Sequence, residues 1–585
     1  MEYHGPFLII RPKEAARANG TAIVEVPNRG GDQTNRLLFF ANGFDIVAPE
    51  KTTKVTHGPL FDRGYTFAWA GWQADLKADE FGLTVPRAQA HSTARTNAYL
   101  NVDGGSGDSG SAASGASCAA DPNEATAVLR VHRRFDDPGV VVPRSGWRFA
   151  KHETDGKIVA DPCAFILNTP VAGPALVTIT YRGDEPLVMG LGLAAQRDFA
   201  TYLRSHAVGG QAPPRTVIGY GYSQSARFLR DFLYRGFNRD AATGTRVFDG
   251  VMDVGAGAGR GAFNHRYARP GDAGNSVGSA LRAVDLYPFA DLPTADIAGS
   301  VQEGLLDRAR SEHVQPKLFH ILYGSEYWAR AGSLMQATSD GRRALPEAPD
   351  TRTYAFAGTN HAPRATVIAL RGDSDMVYPF NDNADEFAAL PALTEAMRRW
   401  LVDNIAPPPT QRPEAGMTLV EASRLNFPKI SNVAVPASPP PVWRMDLGPG
   451  YRTRGIIAEP PRLGARYTLL VPQVDEDGNE TGGWRGLRRS LALGTYTAWN
   501  KSRSGDYDGF GIISGLAGSF LPFPWDEDER KKHKDPRRSI NARYGSQAGY
   551  MRAVDRESSG RSPLASCSPT SGDGRAEAFS PIGRA

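Results

Sequence analysis

The stretch Gly219-Tyr220-Gly221-Tyr222-Ser223-Gln224-Ser225 decides how this 585-residue chain is expected to fold. It continues an apolar run, residues 215–220, that is typical of a short buried strand. A helix is predicted behind it by four apolar residues at helical spacing, Phe228, Leu229, Phe232 and Leu233. A strand, a tight turn with serine and a helix form the setting in which a serine acts as a nucleophile. The alternative is an ordinary turn in which Ser223 caps the helix.

Such a turn needs small neighbours around the serine because its backbone is strained. Gly221 meets that need on one side, and Ser225 stands on the other side where glycine is more usual. The motif alone is weak, since glycine and serine often fall together by chance. Its place between a strand and a helix makes Ser223 the candidate nucleophile.

The composition indicates a globular chain with a nearly balanced charge. Hydrophobic residues make up 41%, enough for a large core and for more than one domain. The net charge of +4, from 67 basic and 63 acidic residues, is too small to predict a nucleic-acid partner. No run approaches the roughly 20 apolar residues that span a bilayer, so no membrane partner is expected. The first residues lack the features of a signal peptide, which predicts a cytoplasmic protein, or an exported one if the start is truncated.

The three cysteines, Cys118, Cys163 and Cys567, lie far apart and show no CxxC spacing. Neither a zinc site nor a disulfide framework is therefore expected, and Cys118 and Cys567 are expected to be exposed. The acidic stretch Asp475–Glu480 has some likeness to a calcium loop but lacks the ligand spacing of one. A tight turn between strands is the preferred interpretation, with no metal bound.

Strands and helices alternate through residues 1–404, which predicts an α/β domain with a doubly wound, mostly parallel sheet. Its apolar runs after Ser223 are residues 247–254, 317–323 and 353–357, and residues 393–402 are predicted to form its last helix. The remaining organisation is predicted from composition: a β-rich insertion over about 80–186 with a flexible Gly/Ser loop over 103–118, a Pro-rich linker over 405–445, a smaller accessory region over 446–554 and a disordered tail over 555–585.

A serine nucleophile needs a base to take its proton and an acid to orient that base. Glu326 follows the apolar run 317–323, and His361 follows the run 353–357. Acid and then histidine, each beyond the end of a strand, is the order known to accompany this kind of serine turn. We therefore predict Ser223, Glu326 and His361 as a catalytic triad.

Other residues compete for the same roles. His320 lies inside a predicted strand and is expected in the core, and His265 follows the wrong strand. The rival acids Asp340, Asp373 and Asp375 are expected to be solvated loop carboxylates.

Acyl transfer also requires donors for a developing oxyanion. One is expected to be the backbone N–H of Gln224, at the start of the helix after Ser223. The second is expected from the loop Asn28–Gly31, with Arg29 or Gly30 as the donor. The alternative for that loop is an ordinary turn. Several aromatic residues at the same sheet edge are weaker candidates for substrate contact, since aromatic side chains more often pack cores: Trp69, Trp72, Tyr222, Tyr327 and Trp328.

The chain resembles the alpha/beta hydrolase domain-containing family of bacterial proteins over about residues 6–554. The stretches that carry the resemblance are Val26–Gly30, Arg63–Tyr65 with Gly71-Trp72, Gly190–Phe199, Tyr222–Ser225, Gly236–Asn238 with Val247–Gly250, Phe263–Arg266, Glu326–Trp328, Ala357–His361 and Val474–Glu480. The resemblance implies an α/β-hydrolase fold and a cofactor-independent serine hydrolase that cleaves carboxylic esters with Ser223, Glu326 and His361. Many members look exported, and this chain starts at what should be the second strand of the family pattern, which suggests a truncated start.

Several functional alternatives stay open at this point. The same triad would serve amide or lactone hydrolysis or acyl transfer to an alcohol, and the fold also occurs in non-catalytic binding proteins. The substrate is expected to be a small-molecule or polymer-derived ester. The aromatic residues Trp484, Tyr496 and Trp499 suggest a carbohydrate- or polymer-binding role for the C-terminal region.

Overall fold

A computed structural model of the chain describes most of its residues. The described ranges are 2–12, 15–27, 60, 63–76, 82–100, 107–111, 118–134, 137–207, 212–261, 263–264, 286–361, 377–381, 384–458, 460–501 and 517–560. The strands are, in chain order, β1 (Phe7–Ile10), β2 (Thr21–Glu25), β3 (Thr66–Ala70), β4 (His91–Leu100), β5 (Ser109–Ser111), β6 (Val128–His132), β7 (Val140–Val142), β8 (Trp147–Arg148), β9 (Ala150–His152), β10 (Ile158–Ala160), β11 (Ala164–Leu167), β12 (Ala175–Asp184), β13 (Thr216–Tyr222), β14 (Gly250–Val254), β15 (Thr294–Ala295), β16 (Gln302–Glu303), β17 (Lys317–Tyr323), β18 (Thr351–Phe356), β19 (Leu419–Val420), β20 (Trp443–Asp446), β21 (Arg462–Arg466), β22 (Val471–Pro472), β23 (Gly494–Thr497) and β24 (Ser519–Pro522).

The α-helices lie between and after these strands. They are α1 (Leu191–Ser205), α2 (Gln224–Tyr234), α3 (Asp307–Ser311), α4 (Gly324–Ala329), α5 (Ala384–Val402), α6 (Tyr451–Arg454), α7 (Leu487–Ser490), α8 (Glu527–His533), α9 (Ile540–Tyr544) and α10 (Gln547–Gly560).

A mixed sheet of seven strands forms the centre of the described structure, in the order β1-β3-β2-β13-β14-β17-β18. β1 pairs antiparallel with β3, and every other pairing in the sheet is parallel. Parallel strands need crossover connections, and helices α1, α2 and α3 lie within them along the chain. The predicted α/β class is therefore confirmed.

Neighbouring residues along each strand belong to different apolar clusters. Ile23 and Ile218 lie in the cluster that contains part of α5, whereas Val24 and Val217 lie in the cluster that contains parts of α1 and α2. Successive side chains of a strand point to opposite faces of the sheet. Both faces of the sheet are therefore covered by apolar side chains, as is usual for parallel strands.

The predicted β-rich insertion contains sheets of its own. β4, β12, β6 and β7 form an antiparallel sheet, and β5, β11 and β8 form a second one. Aromatic residues such as Trp147 and Phe165 fill a core shared by strands of both sheets. The prediction of a flexible loop over 103–118 was wrong for Ser109–Ser111, which pairs with β11. Local composition cannot reveal such pairing because the partner strand lies more than 50 residues away in the sequence.

The C-terminal region packs onto the edge of the central sheet. Trp484 bridges to Phe356 of β18, and Gln411, from the predicted linker, bridges to Tyr354. Two of the aromatic residues that suggested a carbohydrate-binding surface are buried, Tyr496 and Trp499 at 5% and 2% exposed, and the third, Trp484, is half-buried with its ring centroid 5.3 Å from that of Phe356. This burial argues against stacking on a polymer.

Two other sequence-based expectations can be compared with the C-terminal structure. Helix α10 continues through Gly560, past the predicted start of a disordered tail at 555, and residues 561–585 lie outside the described part. The domain boundaries as a whole stay a prediction. Among the helices in the described ranges, none is both long and apolar enough to cross a membrane.

The cysteine prediction was wrong for one pair. Cys118 and Cys163 form a disulfide, are both half-buried, and have Cα atoms 4.6 Å apart. The N–H of Ala119 donates to the carbonyl of Pro162 at 3.0 Å, so the two chain segments already lie side by side in the insertion. Their separation of 45 residues has no recognisable spacing pattern, which is why the sequence did not reveal the pair.

We expect peptide mapping without reductant to recover one peptide that links Cys118 to Cys163. Closing a loop of this length stabilises the fold by up to about 4 kcal/mol. Dithiothreitol and Cys118→Ser both remove this bond, so each should lower the Tm, and by similar amounts. Cys567→Ser, which keeps both bonded cysteines, is the control and should leave the Tm unchanged. Recovery of Cys118 and Cys163 only as free thiols from freshly purified protein would contradict the pairing.

Candidate active site

Ser223 occupies a strained turn between β13 and α2. Its backbone has φ 57° and ψ −111°, a conformation that costs a non-glycine residue about 1–3 kcal/mol. The N–H of Ser223 donates to the carbonyl of Val254 at 2.7 Å, which ties the turn to the end of β14. Ser223 makes no side-chain hydrogen bond to the helix it precedes, so the helix-cap alternative is excluded. Its half-buried hydroxyl is directed elsewhere.

Small residues allow this turn to form. A Cβ built on Gly221 would lie 2.5 Å from the carbonyl oxygen of Ser225, far inside van der Waals contact. Ser225, fully buried, replaces the usual glycine and adds hydrogen bonds: its Oγ accepts from the N–H of Tyr222 at 3.0 Å and donates to the Tyr222 carbonyl at 2.9 Å. These hydrogen bonds hold the end of β13 and the start of α2 together around Ser223.

The hydroxyl of Ser223 lies next to a histidine, which in turn lies next to a carboxylate. Ser223 Oγ lies 2.8 Å from His361 Nε2, and His361 Nδ1 lies 2.5 Å from Glu326 Oε1. His361 and Glu326 are 5% and 0% exposed, so solvent does not compete for these contacts. The structure thus brings together the three residues that the sequence predicted, within hydrogen-bond reach of one another.

Backbone and hydroxyl donors hold the acid in place. Glu326 Oε2 accepts from the N–H of Tyr323 at 2.5 Å, and Oε1 accepts from Ser325 Oγ at 3.1 Å. The two segments that carry acid and base are also joined, because the N–H of Gly324 donates to Thr359 Oγ1 at 3.0 Å. Glu326 therefore keeps one oxygen for its backbone support and presents the other to His361.

Tyr222, predicted to contact substrate, instead supports the base. It is buried, and its hydroxyl donates to the backbone carbonyl of His361. Burial, followed by the charge of Glu326, raises the pKa of Tyr222 well above its usual value, so the hydroxyl remains protonated and a donor. Its role in the structure is to fix the position of His361.

The other aromatic candidates are also buried. Trp72 donates its Nε1–H to the Pro27 carbonyl at 2.5 Å and packs on Phe228, with ring centroids 4.4 Å apart. The hydroxyl of Tyr327 accepts from Gln336 Nε2 at 2.8 Å. Two further tryptophans are 3% and 2% exposed, namely Trp69 and Trp328. These positions argue for packing rather than direct substrate contact.

The rival base His320 is excluded by its charge. It lies buried in β17 between Asp253 and Asp291, whose carboxylate oxygens are each 2.8 Å from a ring nitrogen. Burial lowers the pKa of His320, but the two carboxylates outweigh burial and raise it to about 10. A histidine that stays protonated at neutral pH cannot accept a proton from serine.

The remaining predicted residues are a loop carboxylate, the residue that follows Ser223 and five residues outside the described ranges. Asp340 accepts a hydrogen bond from Thr338 Oγ1 at 2.6 Å in an exposed turn, as expected for a loop carboxylate. Gln224 is buried and begins α2 directly after Ser223, the position predicted for an oxyanion donor. Five predicted residues fall outside the described ranges, namely Arg29, Gly30, His265, Asp373 and Asp375.

Sequence reasoning missed a second layer of polar residues from the C-terminal region. Glu480 Oε2 accepts from the N–H of Gly358 at 2.6 Å. Arg489 donates to the Gly358 carbonyl at 3.3 Å and to Asn381 Oδ1 at 3.1 Å. Gly358 begins the segment that leads to His361. Glu480 and Arg489 therefore help to hold the backbone that positions the base. Glu480 lies in Val474–Glu480, one of the stretches that carry the family resemblance. That resemblance was the only sequence signal for its role.

The calcium-like stretch forms the tight turn that the sequence favoured. The N–H of Asp475 donates to the Asn479 carbonyl at 2.8 Å, and Val474 bridges to Glu480. The carboxylate of Asp477 is paired with Arg543. Within the described ranges, no group of three or more His, Cys, Asp or Glu residues is arranged to hold a metal ion.

Comparison with known proteins places most of the described chain in a family. A family model described as an alpha/beta hydrolase domain matches residues 175–560, which include all three residues of the Ser223–His361–Glu326 series. Searches of curated proteins and of solved structures found no match.

The close approach at Gly221 gives a test of the turn. Gly221→Ala should destabilise the protein by about 1–3 kcal/mol, because its Cβ would overlap the backbone of Ser225. Urea unfolding measures the change, and the control is Gly450→Ala, where the nearest atom is the flexible end of Arg454 at 3.3 Å. Equal free energies of unfolding for the two variants would show that the turn can accommodate a Cβ at position 221, which would contradict this prediction.

Proposed function

The chain belongs to the alpha/beta hydrolase domain family, and from that premise we propose that it is a serine hydrolase acting on carboxylic esters. Ser223 is the nucleophile, His361 the general base and Glu326 the acid that orients the base. The observation that carries the proposal is the hydrogen-bonded series in which Ser223 Oγ lies 2.8 Å from His361 Nε2 and His361 Nδ1 lies 2.5 Å from Glu326 Oε1. The strained φ of Ser223 supports the same assignment.

In the acylation step, His361 Nε2 takes the proton of Ser223 as Oγ attacks the ester carbonyl carbon. The imidazolium that forms keeps its Nδ1–H on Glu326, whose negative charge stabilises it. When the tetrahedral intermediate collapses, His361 gives the proton to the alkoxide, and the alcohol leaves. Water then attacks the acyl-enzyme with His361 again as base, which releases the carboxylic acid and restores Ser223.

The oxyanion requires donors on the side of Ser223 away from the base. We propose the N–H of Gln224 as one donor because α2 begins there, with its N-terminal dipole directed at Ser223. The second donor is proposed to be Arg29 or Gly30. Its loop follows β2, which is the neighbour of β13 in the sheet.

Family membership also supports a doubly wound sheet. Parts of α1 and α2 share one apolar cluster with strand residues, and part of α5 shares the other. The carboxyl ends of β13, β17 and β18 then meet at one edge, and Ser223, Glu326 and His361 follow those three ends.

We propose that the protein works in an oxidising compartment rather than in the cytoplasm. The Cys118–Cys163 disulfide supports this location, because disulfides rarely persist where glutathione and thioredoxin keep thiols reduced.

Kinetics of ester hydrolysis test the triad. Ser223→Ala and His361→Ala should each lower kcat for p-nitrophenyl acetate on the order of 10⁴- to 10⁶-fold, and Glu326→Gln by roughly 10⁴-fold. Because the residues act as a unit, the double variant of Ser223 and His361 should lose no more than either single variant.

The matched controls are Ser205→Ala and His206→Ala, which change exposed residues at the end of α1. Both controls should keep wild-type kcat. Wild-type turnover by a folded Ser223→Ala protein would refute the proposed mechanism, and hydrolysis of anilides but not esters by the wild type would refute the substrate class.

A further inference from the structure

The carboxylate of Glu480 is buried near the triad but is not part of it. Glu480 is 5% exposed and follows the tight turn that begins at Asp475. Its Oε2 accepts the N–H of Gly358 at 2.6 Å across 122 residues of sequence. A Cβ built on Gly324 would lie 3.0 Å from each of its carboxylate oxygens. One side chain therefore binds Gly358 and lies close to Gly324, two residues near the ends of different strands.

Gly358 and Gly324 lie at the start of the segments that carry the base and the acid. Gly358 is the second residue after the end of β18 and leads to His361, whereas Gly324 begins α4 and leads to Glu326. The segments are joined further on, where the N–H of Ser325 donates to the Thr359 carbonyl at 3.1 Å. The bond of Glu480 to Gly358 thus adds to the contacts that fix the segment of His361 relative to that of Glu326.

The groups around Glu480 set its ionisation. Burial raises its pKa to about 7, against the opposing effects of the Gly358 N–H and of the guanidinium groups of Arg489 and Arg485. Helix α4 carries two titratable groups: Tyr327, whose pKa is raised mainly by burial and in small part by Glu480, and the triad residue Glu326. Near neutral pH, Glu480 thus exists in both charged and neutral forms.

The charged form is the better acceptor. A hydrogen bond to an ionised carboxylate is roughly twice as strong as one between neutral groups. Deprotonation of Glu480 should therefore tighten its bond to Gly358, whereas protonation should loosen it.

We infer that Glu480 is a positioning residue that holds the segments of His361 and Glu326 in catalytic register, and that its ionisation tunes the rate of ester hydrolysis. The inference rests on the proposed function for its effect on rate. The C-terminal region thereby contributes to catalysis without contacting substrate.

The kinetic test compares the wild type with Glu480→Gln between pH 5.5 and 8.5. Glutamine keeps the size and one neutral acceptor for Gly358, so the variant should fold and should resemble the protonated wild type at every pH. The ratio of wild-type to variant kcat should be near one at pH 5.5 and rise to about 5-fold at pH 8.5, with a midpoint near 7 and KM unchanged within a factor of two.

The control is Glu476→Gln, an exposed carboxylate on the same turn, for which the kcat ratio should stay near one at every pH. A pH-independent ratio for Glu480→Gln would overturn the inference. A ratio that falls as pH rises would also overturn it.

A second measurement does not depend on activity. The pKa of Glu480 is raised in the folded protein, so the unfolded state binds fewer protons than the folded state between the ordinary pKa of glutamate and about 7. The stability that wild-type Glu480 contributes is present at low pH and is lost as pH rises through 7. The Tm of the wild type minus that of Glu480→Gln should therefore fall between pH 5 and 8.

The two readouts separate the possible failures. One possible result is that the Tm difference changes with pH while the kcat ratio does not. Glu480 would then ionise without acting on the triad, which overturns its positioning role. If Ser223→Ala kept full turnover, the proposed function would fail, whereas the Tm difference would still report the ionisation of Glu480. A Tm difference that does not change with pH would overturn the claim that Glu480 titrates.

Discussion

The rest of the site depends on the backbone of Ser223, which is held at positive φ between β13 and α2. Such a conformation persists only where its surroundings determine it more strongly than the local strain opposes it. Here the determinants are the bond from Ser223 N–H to Val254, the paired hydrogen bonds between Tyr222 and Ser225, and the absence of a side chain on Gly221. The burial of almost every residue of α2 adds to them. Because the helix cannot move away from the sheet, the hydroxyl of Ser223 points out of the turn toward His361.

The base and the acid are placed by a different device. Each sits just beyond the end of its own strand, and the two segments are tied to one another by the bonds of Gly324 and Ser325 to Thr359. Tyr222 holds His361 from the side of the nucleophile, and Glu480 holds Gly358 from the C-terminal region. The geometry of the Ser223–His361–Glu326 series therefore depends on residues from distant parts of the chain, which is the support that accurate positioning of reacting groups requires.

What the sequence could predict was local. The strand, turn and helix around Ser223 and the order of Glu326 and His361 after later strands are visible as short apolar runs followed by polar residues. Contacts across long separations left no such pattern: the Cys118–Cys163 pair, the strand at Ser109–Ser111 and the bond from Gly358 to Glu480 were all missed. Helix α5 shows a local limit as well, because it begins at Ala384 and contains Pro391, a residue that usually ends a helix, whereas the prediction began after the proline. The burial of Tyr222, Tyr327 and Trp328 was not visible in the sequence either, since a place at the sheet edge does not tell which side chains face solvent.

The most direct test of an activated serine is covalent labelling with a fluorophosphonate, which needs no knowledge of the natural substrate. The account predicts that the wild-type protein is labelled at a single peptide containing Ser223, and that His361→Ala, equally folded by circular dichroism, is labelled at a far lower rate. Labelling at another residue, or no labelling of well-folded wild-type protein, would contradict the claim that Ser223, His361 and Glu326 act together as a catalytic unit.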